Sequence, residues 1–137
     1  MPAPRIQWKT LSIDCADADE MAAFYIELLG WAVSERGDVD PESGRSGWVM
    51  LENPAGGVCL ALGAHEWYQP PVWPERPGEQ AKMMHFEIGV DDVEASVERA
   101  LSAGGSIAPW QPPDRDPAGL RVILDPSGHQ LCLFYDV

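Results

Sequence analysis

The stretch "DPSGHQLCLF", residues 125–134, decides the fold, because nearly the same turn followed by nearly the same apolar run, "NPAGGVCLAL", stands at residues 53–62. In each, an Asx-Pro-small-Gly turn gives way to a segment in which side chains of one kind recur at every second position. That is the signature of a β-hairpin closing on a half-buried strand.

Upstream of the first copy, "WKTLSIDC" (8–15) alternates Thr10, Ser12 and Asp14 with Leu11, Ile13 and Cys15, which predicts a strand with one wet and one apolar face. "DADEMAAFYIELLGW" (17–31) spaces Met21, Phe24, Tyr25, Leu28 and Leu29 at helical intervals, opens with acids and meets Gly30 as a stop. Three short strands follow, "WAVSER" (31–36), "GWVMLE" (47–52) and "GVCLALG" (57–63), separated by turn-rich segments. From "HFEIGV" (85–90) the order begins again, with His85, Glu87 and Gly89 on one face. "DDVEASVERALSAGG" (91–105) reads as a second helix, in which Asp91 and Asp92 cap the N-terminus, and "SIAPWQ", "GLRVILD" and "HQLCLFY" supply three more strands. Shifting the first half by 75 residues lays Thr10 on His85, Ile13 on Ile88 and Gly30 on Gly105; a shift of 72 lays Leu60 on Cys132.

The chain is therefore predicted to be α+β, two tandem βαβββ modules forming a cup-shaped mixed sheet with helices on the outer face. Its 137 residues suffice for one shared core and not for two independent ones. Module one covers about 6–63 and module two about 83–137. Between them, residues 64–82 carry four prolines with Trp67, Tyr68 and Trp73, so this connector reads either as a flap over a ligand site or as a cover for a sheet edge.

A formal charge of -13 excludes nucleic acid and anionic membrane as partners, because it repels phosphate. No apolar run approaches the roughly 18 residues of a membrane span and the start lacks a basic and apolar leader, so a cytoplasmic location is expected. The odd, widely spaced Cys15, Cys59 and Cys132 read as free thiols.

The paired βαβββ units, "SIDCADADEMAAFYIELLGW", "HFEIGVDDVEASVERALSAGG" and "DPSGHQLCLF" together resemble the vicinal oxygen chelate superfamily, the glyoxalase, bleomycin-resistance and dioxygenase group, and more narrowly its short glyoxalase-like members. The resemblance implies a homodimer and, where a divalent metal is used, ligands on the first and last strands of each module. Those positions fall at Thr10, Leu60, His85 and Cys132. Of these only His85 suits the family's metals, since an ion that polarises vicinal oxygens needs imidazole or carboxylate donors. Strand alternation then implies that Ser12, Asp14, Glu87, Gln130, Leu62 and Phe134 share the cup. Trp48, Met50 and Glu52 join them in one of the two registers open to their strand. The expected activity is metal-free binding, without a cofactor, of an apolar or aromatic molecule, neutral or cationic, on His85, Glu87, Thr10, Ser12, Asp14, Trp48, Met50, Leu60, Cys132 and Phe134. The alternative is a metal-dependent lyase, isomerase or dioxygenase with a non-standard divalent-metal site centred on His85. No residue is assigned a catalytic role, although a His85–Cys132 pair that activates the thiol is one arrangement to test.

Overall fold

A computed structural model describes residues 1–136. Strand β1 (Thr10–Cys15) leads into α1 (Ala18–Leu29), followed by β2 (Ala32–Arg36), β3 (Trp48–Glu52) and β4 (Cys59–Ala64). The same order returns as β5 (Phe86–Val90), α2 (Val93–Ser102), β6 (Ser106–Ile107), β7 (Leu120–Leu124) and β8 (Gln130–Tyr135). Each module builds its own four-stranded mixed sheet, in the order β1-β4-β3-β2 and β5-β8-β7-β6. In both, the first strand runs parallel to the last and the other pairs are antiparallel. The fold is thus α+β from tandem βαβββ units, as the repeat predicts.

Both helices start on an aspartate cap, and at α2 the role falls to Asp92 of the Asp91-Asp92 pair. The Asp17 carboxylate accepts from the backbone N–H of Asp19 and Glu20, and Asp92 accepts from Ala95, satisfying donors that a helix N-terminus leaves free. Gly30 ends α1 in the left-handed region at φ 72°, a conformation that costs glycine no Cβ clash.

One core serves both modules. The inner faces of α1 (Met21, Phe24, Tyr25) and α2 (Val97, Ala100) bury Val49, Leu51, Leu60 and Leu62 of the first sheet and Ile123, Leu131 and Leu133 of the second in a single cluster. Tyr25 joins the halves. Its ring packs edge-on against Phe86 at 5.8 Å, and its hydroxyl donates to Asp125 Oδ2 at 2.7 Å.

The loop between β2 and β3 is held on α1 by Asp19, which accepts from the Ser46 N–H at 2.8 Å and from Arg36. The Ser46 N–H, with Arg36 beside it, holds the Asp19 carboxyl below its ordinary range. A carboxyl depressed in the folded state stabilises above the unfolded pKa, and that contribution fades as pH falls through the folded value. Asp19→Asn should therefore flatten the acid limb of the stability curve below about pH 4, read from urea melts across pH against the parent protein.

Among the described residues no helix is long and apolar enough to cross a membrane. Cys15, Cys59 and Cys132 are free thiols, Cys15 fully buried and the other two half-buried. Burial, reinforced by the negative charge of Asp125, pushes the Cys15 thiol up to about 12, so it is inert.

Candidate functional site

On β1 the polar alternates Thr10, Ser12 and Asp14 face away from the helices. Their ladder partners on β4 are Cys59, Ala61 and Gly63. The next ladder puts Met50 opposite Ala61 and Trp48 opposite Gly63, so of the two registers the chain adopts the one that places Trp48, Met50 and Glu52 on the cup face. The Thr10 hydroxyl points its proton at the Met50 sulfur, 3.7 Å away. Trp48 is 41% exposed and packs against Gly37, where a Cβ would stand 2.5 Å from its indole nitrogen. Gly37 thereby leaves room for the Trp48 ring on this face.

Leu60 and Leu62 are not part of that wall. They are 5% and 0% exposed, packed under α1 on the opposite face of β4. The ladders give the reason: Leu60 pairs with Leu11 as Leu131 pairs with Phe86, so Leu60 corresponds to Leu131, and Ala61 to Cys132. The first module spends one more residue between its turn and its strand than the second. With a side-chain period of two, that single residue exchanges the faces. Ala61 has no more capacity to ligate a metal than leucine.

In the second sheet Cys132 pairs with Glu87 and Phe134 with Gly89, which places Gln130, Cys132 and Phe134 on the same face as Glu87. His85 immediately precedes β5, and its Nε2 stands 3.5 Å from Glu87 Oε1. The partner of His85 is thus a carboxylate. Burial, then the charge on Glu87, raises the Cys132 pKa, which keeps the thiol protonated and removes the basis for a His85-activated thiolate. Gln130, 3% exposed, holds its side-chain Nε2 buried without a protein partner.

The residues at the implied metal positions are therefore Thr10, Ala61, His85 and Cys132, which supply one imidazole, one protonated thiol and no carboxylate. Among the described residues no three His, Cys, Asp or Glu side chains gather closely enough to hold a metal ion. These side chains do not fit a divalent ion held in the family manner.

The connector holds residues that alternation alone does not reveal. Tyr68 donates its hydroxyl proton to the Ser127 carbonyl at 2.7 Å and lies 3.3 Å from His129 Nε2. His129 Nδ1 in turn hydrogen-bonds Asp125 at 2.9 Å, so this histidine stabilises the turn that carries it. Farther along, the Trp73 indole N–H donates to the Trp110 carbonyl at 3.2 Å. Between connector and β1 lies an open cleft of about 470 Å³, lined by Ser12, Asp14, Trp67, Tyr68, Lys82 and His129 among others. Two cup residues named from alternation thus share a cavity with connector side chains. The aromatic content of residues 64–82 was the signal in the sequence; their anchor points, 37 to 61 residues away, were not.

The profile of the glyoxalase-like domain family matches residues 10–134. The chain belongs to that family. Solved structures of similar fold include a glyoxalase-related enzyme from Fulvimarina pelagi, at 22% identity and TM-score 0.63 over 95% of this chain and 88% of that one. A glyoxalase/bleomycin resistance protein/dioxygenase family enzyme from Burkholderia phytofirmans is similar at 23% identity and TM-score 0.60, over 96% of this chain and 100% of the other. The fosfomycin resistance protein FosX from Mesorhizobium loti is similar at 14% identity and TM-score 0.63, over 94% and 90%. At such identities the likeness is one of fold. No curated protein matches the sequence.

Proposed function

We propose that this glyoxalase-like chain is a metal-free binder of an apolar or aromatic small molecule, neutral or cationic, held on the cup faces of its two sheets. The observation that carries this reading is the set Thr10, Ala61, His85 and Cys132 at the four positions where a metal-using relative needs donors. What surrounds them suits contact with an apolar body: Trp48 and Met50 on the first sheet, Phe134 on the second. Ser12, Asp14, His85 and Glu87 supply polar anchors. The acid-rich composition favours a cationic ligand over an anionic one.

The two cup faces lie on separate sheets whose first strands, β1 and β5, are edges. The chain exposes 8882 Å², against about 7,000 Å² for a monomer of this mass. The excess, about 1,900 Å², is larger than the roughly 800 Å² that a stable dimer removes from water on each partner, and so leaves room for a homodimer in which cup faces are brought together. Three free thiols suit a reducing, cytoplasmic setting.

The test uses thioflavin T, a flat aromatic cation, as probe. Its binding to the purified protein, followed by fluorescence, should be unchanged by EDTA and should weaken about tenfold in Trp48→Ala, the loss expected for one aromatic contact. Binding abolished by EDTA, or indifferent to Trp48→Ala, would refute the reading.

A further inference from the structure

Lys82, the last residue of the connector, occupies a position that an external cation would fit. Its ammonium stands over the Trp73 ring, 4.8 Å from the centroid. It pairs at the same time with the Glu75 carboxylate. Trp73 is itself fixed, because its indole packs edge-on against Trp110 at 5.4 Å and donates to the Trp110 carbonyl. A π face and a carboxylate converging on one point are complementary to a single kind of group, an ammonium, since the ring quadrupole and the carboxylate both attract positive charge.

Two observations separate this arrangement from a plain structural staple. Lys82 also lines the open cleft of about 470 Å³ beside Asp14 and Ser12, so its side chain has a vacant, acid-bearing space into which it can swing. The contact is also cheap to break: a partly exposed Lys–Glu pair contributes little, and a cation–π contact at such a site adds only modestly. The Glu75 side chain is 44% exposed and the Lys82 side chain 23%, so solvent and solutes reach both. The chain nevertheless turns sharply to deliver this lysine. Met84 N–H closes back on the Lys82 carbonyl and Met83 sits at φ 55°, a left-handed conformation unfavourable for a non-glycine residue.

We propose that Trp73, Glu75 and Trp110 form a binding site for organic ammonium ions, and that Lys82 is its built-in, displaceable occupant. The site is distinct from the cup faces, although the cleft that would receive Lys82 shares Ser12 and Asp14 with them. An incoming alkylammonium takes the place of the Lys82 ammonium over Trp73 while Lys82 moves into the cleft, with no bond made or broken. A ligand that bears both an ammonium and an apolar body could stack the body along Trp110 and Trp73.

The probe is tetramethylammonium, which makes the cation–π contact but donates no conventional hydrogen bond. Upfield ring-current shifts of its methyl protons report contact with an indole face. Lys82→Met, which is one atom shorter and removes the charge, should bind the probe about tenfold or more tighter than the parent protein, because the competing cation is gone. In the Lys82→Met background, Trp73→Leu should abolish the shift and Glu75→Gln should weaken binding several-fold. A second measurement needs no variant: acetylation of Lys82 in the parent protein, followed by mass spectrometry, should speed up several-fold at saturating tetramethylammonium while Lys9 keeps its rate. Lys82→Met binding no tighter than the parent, a ring-current shift that survives Trp73→Leu, or a Lys82 acetylation rate unmoved by the probe would each overturn the proposal.

Discussion

Replacing Asp125 with alanine is expected to cost about 3–5 kcal/mol of folding stability, a large part of what a domain of this size possesses. Asp125 is 3% exposed and gathers four donors: the Tyr25 hydroxyl, the backbone N–H of Ser127 and of His129, and His129 Nδ1. Alanine leaves the Tyr25 hydroxyl stranded in the core with no acceptor, and each buried orphan costs on the order of 1–3 kcal/mol. The turn also loses its internal acceptor, and with the turn goes the anchor for Tyr68 and the connector. Asp125→Asn keeps one carbonyl oxygen for the turn donors and should cost less than half as much. Tyr25→Phe removes one donor and leaves the rest, so about 1–2 kcal/mol is expected. Urea unfolding at fixed pH measures all three, and an alanine variant within about 1 kcal/mol of the parent would contradict the role given to this carboxylate.

The second large effect lies at Gly105, where the turn after α2 meets the helix of the other module. A Cβ there would stand 2.7 Å from Phe24 Cε2 and 3.0 Å from the carbonyl oxygens of Ala100 and Leu124. Two of these three neighbours are backbone, and Phe24 is fully buried, so no flexible side-chain end can yield. Gly105→Ala should destabilise by about 2–3 kcal/mol through overpacking of the shared core. Gly47→Ala, whose Cβ would meet nothing within 4 Å, should be nearly neutral and serves as the control. Thermal melts of the pair test whether the modules lean on each other at this point.

Period-two and period-3.6 patterning made the two modules readable, because each strand and helix has one face that must leave water. The acid pair Asp91-Asp92 announced the start of α2 for an equally local reason, and the structure uses Asp92 as its cap; Asp17, legible only as one of the opening acids, caps α1. The face of β4 was not readable. Aligning "NPAGG" with "DPSGH" carries the strands out of phase by one, and only the β1–β4 ladder reveals that Ala61, not Leu60, stands opposite Ser12. Trp48 and Met50 had two registers open until Gly63 and Ala61 were seen across from them.

Contacts between distant segments were the least legible. "DPSGH" identifies a turn, yet nothing near Asp125 in the sequence announces that Tyr25, one hundred residues away, delivers its hydroxyl there. The same holds for Lys82 over Trp73. The two residues are nine apart in an irregular segment, where no periodicity predicts which side chains meet. Sequence patterns report which face is buried; they do not report which polar group answers which.

Metal content separates metal-free binding from metal-dependent chemistry. The untagged protein, incubated with excess Ni²⁺, Zn²⁺ or Mn²⁺ and then desalted, should retain far less than one ion per chain by elemental analysis, and His85→Ala should retain no less than the parent. One tightly held ion per chain that disappears in His85→Ala would contradict the metal-free reading and restore the metal-dependent alternative centred on that residue.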